Sequence, residues 1–147
     1  MNKLINYYGS QGKSGWIGEI IMSEKFGASD ALDKSVLDSL KELQEEEDPD
    51  IVEEVGSLFL KHSPDKVAAI KKSAASGDAK GLQIASHSLK SSSAYVGAMR
   101  LSAMSKSLED MARSGNLEGA SQKASMLESE YERVKMALEA EISARRP

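Results

Sequence analysis

From about residue 32 to residue 142, apolar side chains return every three or four positions, between short clusters of Gly, Ser, Asp, Asn and Pro. That spacing marks one face of an α-helix. Val36, Leu37, Leu40 and Leu43 predict a short amphipathic helix over 33–46, with Asp33 as N-cap and an acidic end, Glu45-Glu46-Glu47-Asp48, before Pro49. Asp48-Pro49-Asp50 opens the next helix, which carries Ile51, Val55, Leu58 and Phe59. His62-Ser63-Pro64-Asp65 predicts an interruption, with serine as a cap, proline restarting the helix and His62 in a solvent-facing connection. Val67, Ala68, Ile70 and Lys71 continue the pattern to Gly77, a C-cap, and Asp78, an N-cap for the next helix.

On that helix Leu82, Ala85, Leu89, Ser92/Ser93 and Val96 form the inward stripe. After Gly97 the period resumes as Leu101, Met104, Leu108 and Met111, and stops at Ser114-Gly115-Asn116. The last helix shows Ala120, Ala124, Leu127, Tyr131, Val134 and Leu138, and ends in Arg145-Arg146, cations suited to a helix C-terminus. Met99, Met104, Met111, Met126 and Met136 read mostly as packing residues. Short connections make consecutive helices antiparallel. The expected fold is therefore all-α: an up-down-up-down four-helix bundle, with helices over roughly 50–76, 78–95, 98–114 and 117–144, and the short additional N-terminal helix capping one end.

Residues 1–29 read differently and are expected to be a flexible leader or linker to a helical domain spanning 30–147. Five of the eleven glycines lie in this segment, which also carries a small apolar patch, Trp16-Ile17 and Ile20-Ile21-Met22. Its Gly12-Lys13-Ser14 does not make a nucleotide-binding loop, because the position five before Gly12 is Tyr7 rather than glycine. The rest of the composition excludes more than it selects. A net charge of −4 without a basic, aromatic-interleaved cluster argues against nucleic acid. The absence of cysteine removes disulfides, thiolate metal sites and a cysteine nucleophile. No apolar run approaches the roughly 20 residues that span a bilayer, and no signal peptide opens the chain, so a cytoplasmic protein without membrane insertion is expected, and separately a monomer.

Chemistry concentrates at one of the two histidines. On the 78–95 helix His87 falls roughly 175° from the middle of the apolar stripe, which points its imidazole to solvent. Lys90 and Ser91 lie one turn further on that face, Gln83 and Ile84 one turn before, and Ala85, Ser86, Ser88, Ser91 and Ser92 keep the surroundings small. His62 has none of this context. Two histidines without a Glu-x-x-His pair also make a metal site in the bundle unexpected.

His87-Ser88-Leu89-Lys90-Ser91-Ser92-Ser93-Ala94-Tyr95-Val96-Gly97 resembles the signature of histidine-containing phosphotransfer (HPt) domains, H-x-L-K-G-[SA]-[SA]-x-x-[LIV]-G. The match covers His87, Leu89, Lys90, Ser92, Ser93, Val96 and Gly97, departs at Ser91 where the family has glycine, and extends loosely from about Leu32 to Ile142. The resemblance implies a phosphorelay intermediate: His87 accepts a phosphoryl group from a phospho-aspartyl receiver domain and passes it to another. It also implies receiver domains and a hybrid sensor histidine kinase as partners.

The residues fit that chemistry. A neutral imidazole is nucleophilic near neutral pH, and Lys90 offers a point charge for phosphoryl oxygens. A hairpin turning at Gly97-Ala98 sets His87 level with Glu109, eleven residues away on the other side, at the flank of its helix. Its carboxylate is a candidate acceptor for the Nδ1 proton, and Arg113, one turn on, is a weaker candidate cation. Gln83, Ile84, Ser91 and Ala94 are the candidate docking residues. No cofactor is expected; metal and phosphoryl donor come from the partner, and the chain turns over no substrate of its own. The competing readings are a degenerate bundle that only docks signalling partners, and a catalytic bundle with a small ligand, which the lack of convergent core polar groups disfavours.

Overall fold

The computed structural model describes residues 31–45 and 50–145. The chain divides into two units, Met1–Asp30 and Ala31–Pro147, and the residues described below belong to the second. The leader, residues 46–48 of the acidic run with Pro49, and Arg146 lie outside the described residues. Those described form five helices and no strand: α1 (Lys34–Glu42), α2 (Ile51–Ser76), α3 (Ala79–Tyr95), α4 (Met99–Ser114) and α5 (Ala120–Arg145).

The anticipated punctuation sets most of these limits. Carboxylates of Asp33, Asp50 and Asp78 accept backbone N–H groups in the first turns of α1, α2 and α3, at 2.9 Å from Ser35, 2.9 Å from Val52 and 2.9 Å from Gly81. Helices α2 to α5 pack each on the next in antiparallel order, and α5 returns against α2 to close the bundle. At its centre Ile70, Leu82, Leu89, Leu101, Leu108, Leu127 and Leu138 are fully buried. Each such side chain contributes about 1.5–3 kcal/mol. Helices α2 and α5 approach closely at Gly56, where a Cβ would lie 3.1 Å from Ile142. Arg145 also reaches Asp50 at 3.3 Å, tying the end of the last helix to the start of α2.

The interruption expected at His62–Asp65 does not occur: α2 runs through Pro64 as one helix. The buried positions explain why. Val52, Gly56, Phe59, Ser63, Val67, Ile70 and Ala74 keep an unbroken three-and-four rhythm across the proline, and the Ser63 hydroxyl sits 2.8 Å from the Tyr131 hydroxyl in the core. Packing on both sides outweighs the one backbone bond that proline removes. His62 is accordingly an exposed mid-helix residue rather than part of a connection. The methionines also divide. Met104 is buried, whereas Met126 and Met136 are exposed because both lie off the Leu127–Tyr131–Val134–Leu138 stripe of α5. Leu43 and Leu58, expected on apolar faces, are exposed as well.

Helix α1 is shorter than expected and packs on α2. Gly97 attaches it to the α3–α4 turn. The Asp33 N–H donates to the Gly97 carbonyl at 2.7 Å, Gly97 has φ +79°, and a Cβ there would lie 2.7 Å from the Asp33 carbonyl oxygen. The glycine that ends the histidine motif is therefore a site of close backbone approach, remote from the imidazole itself.

Candidate phosphoryl-acceptor site

Two helices make the site, and small residues let them come together. Buried Ser86 and Ser93 of α3 lie on the inward side with Leu82, Ala85 and Leu89; α4 buries Ser105, Glu109 and Ala112 in addition to Leu101, Met104 and Leu108. The Ser102 hydroxyl donates to the Lys90 carbonyl at 2.9 Å, fixing the register of the pair.

This register sets His87 beside Glu109. The imidazole is 58% exposed, but it leans toward α4 instead of standing straight out from the core. Its Nδ1 lies 2.6 Å from Glu109 Oε2. Lys90 Nζ donates to Glu109 Oε1 at 2.6 Å, and the Arg113 guanidinium donates to Oε2 at 3.0 Å. Glu109 itself is only 2% exposed, so its expected place at an open flank is corrected to a buried one. The reason is the second inward stripe of α4, Ser105–Glu109–Ala112, which an apolar periodicity does not register because two of its members are polar.

One buried carboxylate thus gathers an imidazole, an ammonium and a guanidinium. Burial alone would push the Glu109 carboxyl up, but bonds from Lys90, His87 and Arg113 outweigh it and hold the pKa at about 2. Glu109 is therefore ionised and can only accept at neutral pH, so the proton of the 2.6 Å contact resides on His87 Nδ1. The lone pair of the ring then lies on Nε2, on the nitrogen opposite the contact. Two permanent cations against one anion leave the surroundings of the imidazole net positive, which favours an approaching phosphoryl group.

The expected docking residues lie around this centre. Ile84 is 60% exposed and Ser91 is exposed, while Gln83 and Ala94 are half-buried. Sequence reasoning missed Tyr95, 68% exposed on α3. With Leu58, Phe59 and Val55 of α2 it borders a groove of about 470 Å³ between α2 and α3. Its signal was present, an aromatic residue two turns beyond His87 and off the apolar stripe. Among the described residues no cluster of three or more His, Cys, Asp or Glu side chains is placed to hold a metal ion, and no helix is long and apolar enough to cross a membrane.

Known proteins share this fold and the motif's family. The family model of the Hpt domain matches residues 54–141. Histidine-containing phosphotransfer protein 4 of Arabidopsis thaliana is 31% identical over 102 residues, covering 68% of this chain and 80% of the relative. The crystal structure of histidine-containing phosphotransfer protein B from Pseudomonas aeruginosa superposes with a TM-score of 0.71 at 30% identity, over 79% of this chain and 97% of that one. The chain belongs to the Hpt-domain family. Its role is that of a phosphorelay intermediate in two-component signalling.

Proposed function

We propose that His87 is the phosphoryl acceptor and that its Nε2 is the reacting atom. The observation that carries this is the 2.6 Å contact of Nδ1 with an ionised, buried Glu109, which fixes the proton on one nitrogen and frees the other toward solvent. Nε2 attacks the phosphorus of a receiver's aspartyl phosphate, the P–O bond breaks, and the receiver regains its carboxylate. In the outgoing step a second receiver's carboxylate attacks the same phosphorus, the P–N bond breaks, and its electron pair returns to Nε2. Lys90, one turn from His87 and 29% exposed, keeps one N–H on Glu109 Oε1 and turns its remaining donors to the phosphoryl oxygens as charge builds on them.

The metal and the activated phosphate belong to the receiver in this scheme, and a hybrid sensor histidine kinase is the further partner, upstream of the donor receiver. The working unit is the helical domain 30–147, acting as a cytoplasmic monomer behind the leader 1–29. Gln83, Ile84, Ser91 and Ala94 form the contact surface, with exposed Ile84 as its apolar anchor. Incubation with a phosphorylated receiver should place acid-labile label on the chain and on His87 alone. His87→Gln should abolish that label and His62→Gln should keep it; label surviving in the His87 variant contradicts the assignment.

A further inference from the structure

An Nε2 nucleophile whose Nδ1 already bears a proton gives, on phosphorylation, a ring with a substituent on both nitrogens, formally an imidazolium. The fate of that Nδ1 proton decides how the phosphoryl group leaves. If the proton stays, breaking the P–N bond returns the electron pair to Nε2 and releases a neutral imidazole. If it is lost, the same cleavage must expel an imidazolate, a far poorer leaving group, and the phosphohistidine becomes long-lived.

We propose that Glu109 is a positioning residue for the outgoing step: its carboxylate holds the proton on Nδ1 of phosphorylated His87, so that phosphoryl transfer proceeds in both directions without any proton moving. This deepens the assignment of His87 Nε2 and rests on it. Three observations carry it. The contact is short, 2.6 Å, between a ring nitrogen and a carboxylate oxygen. The carboxylate is 2% exposed, so water does not compete for it. Its second oxygen is occupied by Lys90 at 2.6 Å, which fixes the orientation of the group toward the ring. A neutral amide at position 109 would match the shape and could either accept from Nδ1–H or, after rotation, donate to a bare Nδ1; only a carboxylate excludes the deprotonated ring.

The other charged groups facing the contact set the sign of a second test. Arg113 of α4 shares Oε2 with the imidazole, its guanidinium 3.0 Å from that oxygen. It opposes positive charge on the ring, as does Lys90 of α3. Lys106 and Asp110 of α4 are paired with each other at 2.8 Å on the exposed side. Removing Arg113 should therefore strengthen the hold of Glu109 on the Nδ1 proton, whereas neutralising Glu109 should weaken it.

The experiment labels the full chain with phosphoramidate, removes the donor, and follows loss of the phosphoryl group to water from pH 5 to pH 10. Each rate profile falls from a fast acidic plateau to a slow alkaline one, and the midpoint of that fall is the readout. Glu109→Gln should move the midpoint down by about 1–3 pH units, the range for loss of an opposite charge in contact. Arg113→Gln, a change at a side chain 57% exposed, should move it up. Coincident midpoints for parent and Glu109→Gln overturn the proposal while leaving His87 as acceptor. If Glu109→Gln does not fold, Arg113→Gln decides, because an unchanged or lowered midpoint overturns it equally. No label on His87 in the parent overturns the acceptor assignment itself.

Discussion

Replacing Gly97 by alanine separates two reasons for a glycine, backbone conformation and close approach. Gly97 sits at φ +79°, where an L-residue costs about 1–2 kcal/mol. The added methyl would also lie 2.7 Å from the Asp33 carbonyl oxygen, a backbone atom that cannot rotate away. Relieving the clash means giving up the 2.7 Å bond from Asp33 N–H to the Gly97 carbonyl, worth about another 1 kcal/mol. The expected loss is about 2–3 kcal/mol. Gly115 is the control: its φ is +77° and a Cβ there meets nothing within 4 Å, so Gly115→Ala should cost only the conformational part, about 1–2 kcal/mol. Urea unfolding followed by circular dichroism gives both numbers. Amide hydrogen exchange locates the damage, which should appear in Lys34–Glu42 while α3 and α4 keep their protection. Equal losses in the two variants, or unchanged exchange in α1, would refute the idea that this motif glycine exists to seat the first helix.

Single contacts elsewhere in the bundle make further outcomes testable. Glu109 has a folded pKa of about 2 against an ordinary 4.5, so its stabilisation is present above pH 4.5 and is lost as pH falls toward 2. Because His87 and Arg113 are more than half exposed, screening reduces the effect to about 1–2 kcal/mol; Glu109→Gln should show that deficit at pH 7 and only a small remainder of it near pH 2, and a pH-independent deficit would mean that shape, not charge, is lost. Tyr131→Phe leaves the buried Ser63 hydroxyl without its 2.8 Å partner and should cost about 1–3 kcal/mol, part of which the double variant with Ser63→Ala recovers; additive losses in a thermodynamic cycle would contradict the contact. Ile84→Glu should stay within about 0.5 kcal/mol of the parent in urea yet weaken receiver binding measured by calorimetry; undiminished affinity removes Ile84 from the docking surface.

The features legible in the sequence are those that repeat or act locally. Leu82, Leu89, Leu101, Leu108, Leu127 and Leu138 recur at helical spacing, and every one is buried where the period puts it. The caps at Asp33, Asp78 and Gly77 were equally readable, because their chemistry is local. Pro64 misled because a local breaker competes with tertiary packing, and only Ser63, polar yet buried against Tyr131, shows that the stripe continues. The level pairing of His87 with Glu109 came from counting residues around the hairpin. The burial of Glu109 did not, since a charged residue enters a core only with partners, and two of its three, His87 and Lys90, are supplied by the preceding helix. Neither could the sequence reveal that Glu109 binds Lys90 and Arg113 together, or that Glu130 lies buried against Arg133, because both are properties of side-chain placement.

The claim on which the rest depends is that the phosphoryl group is carried on Nε2 of His87. Heteronuclear ¹⁵N–³¹P magnetic resonance of the phosphorylated, histidine-¹⁵N-labelled chain tests it at the level of the atom. One phosphorus signal coupled to His87 Nε2, with Nδ1 still facing Glu109, is the expected result. Coupling to Nδ1, or to either nitrogen of His62, would contradict it.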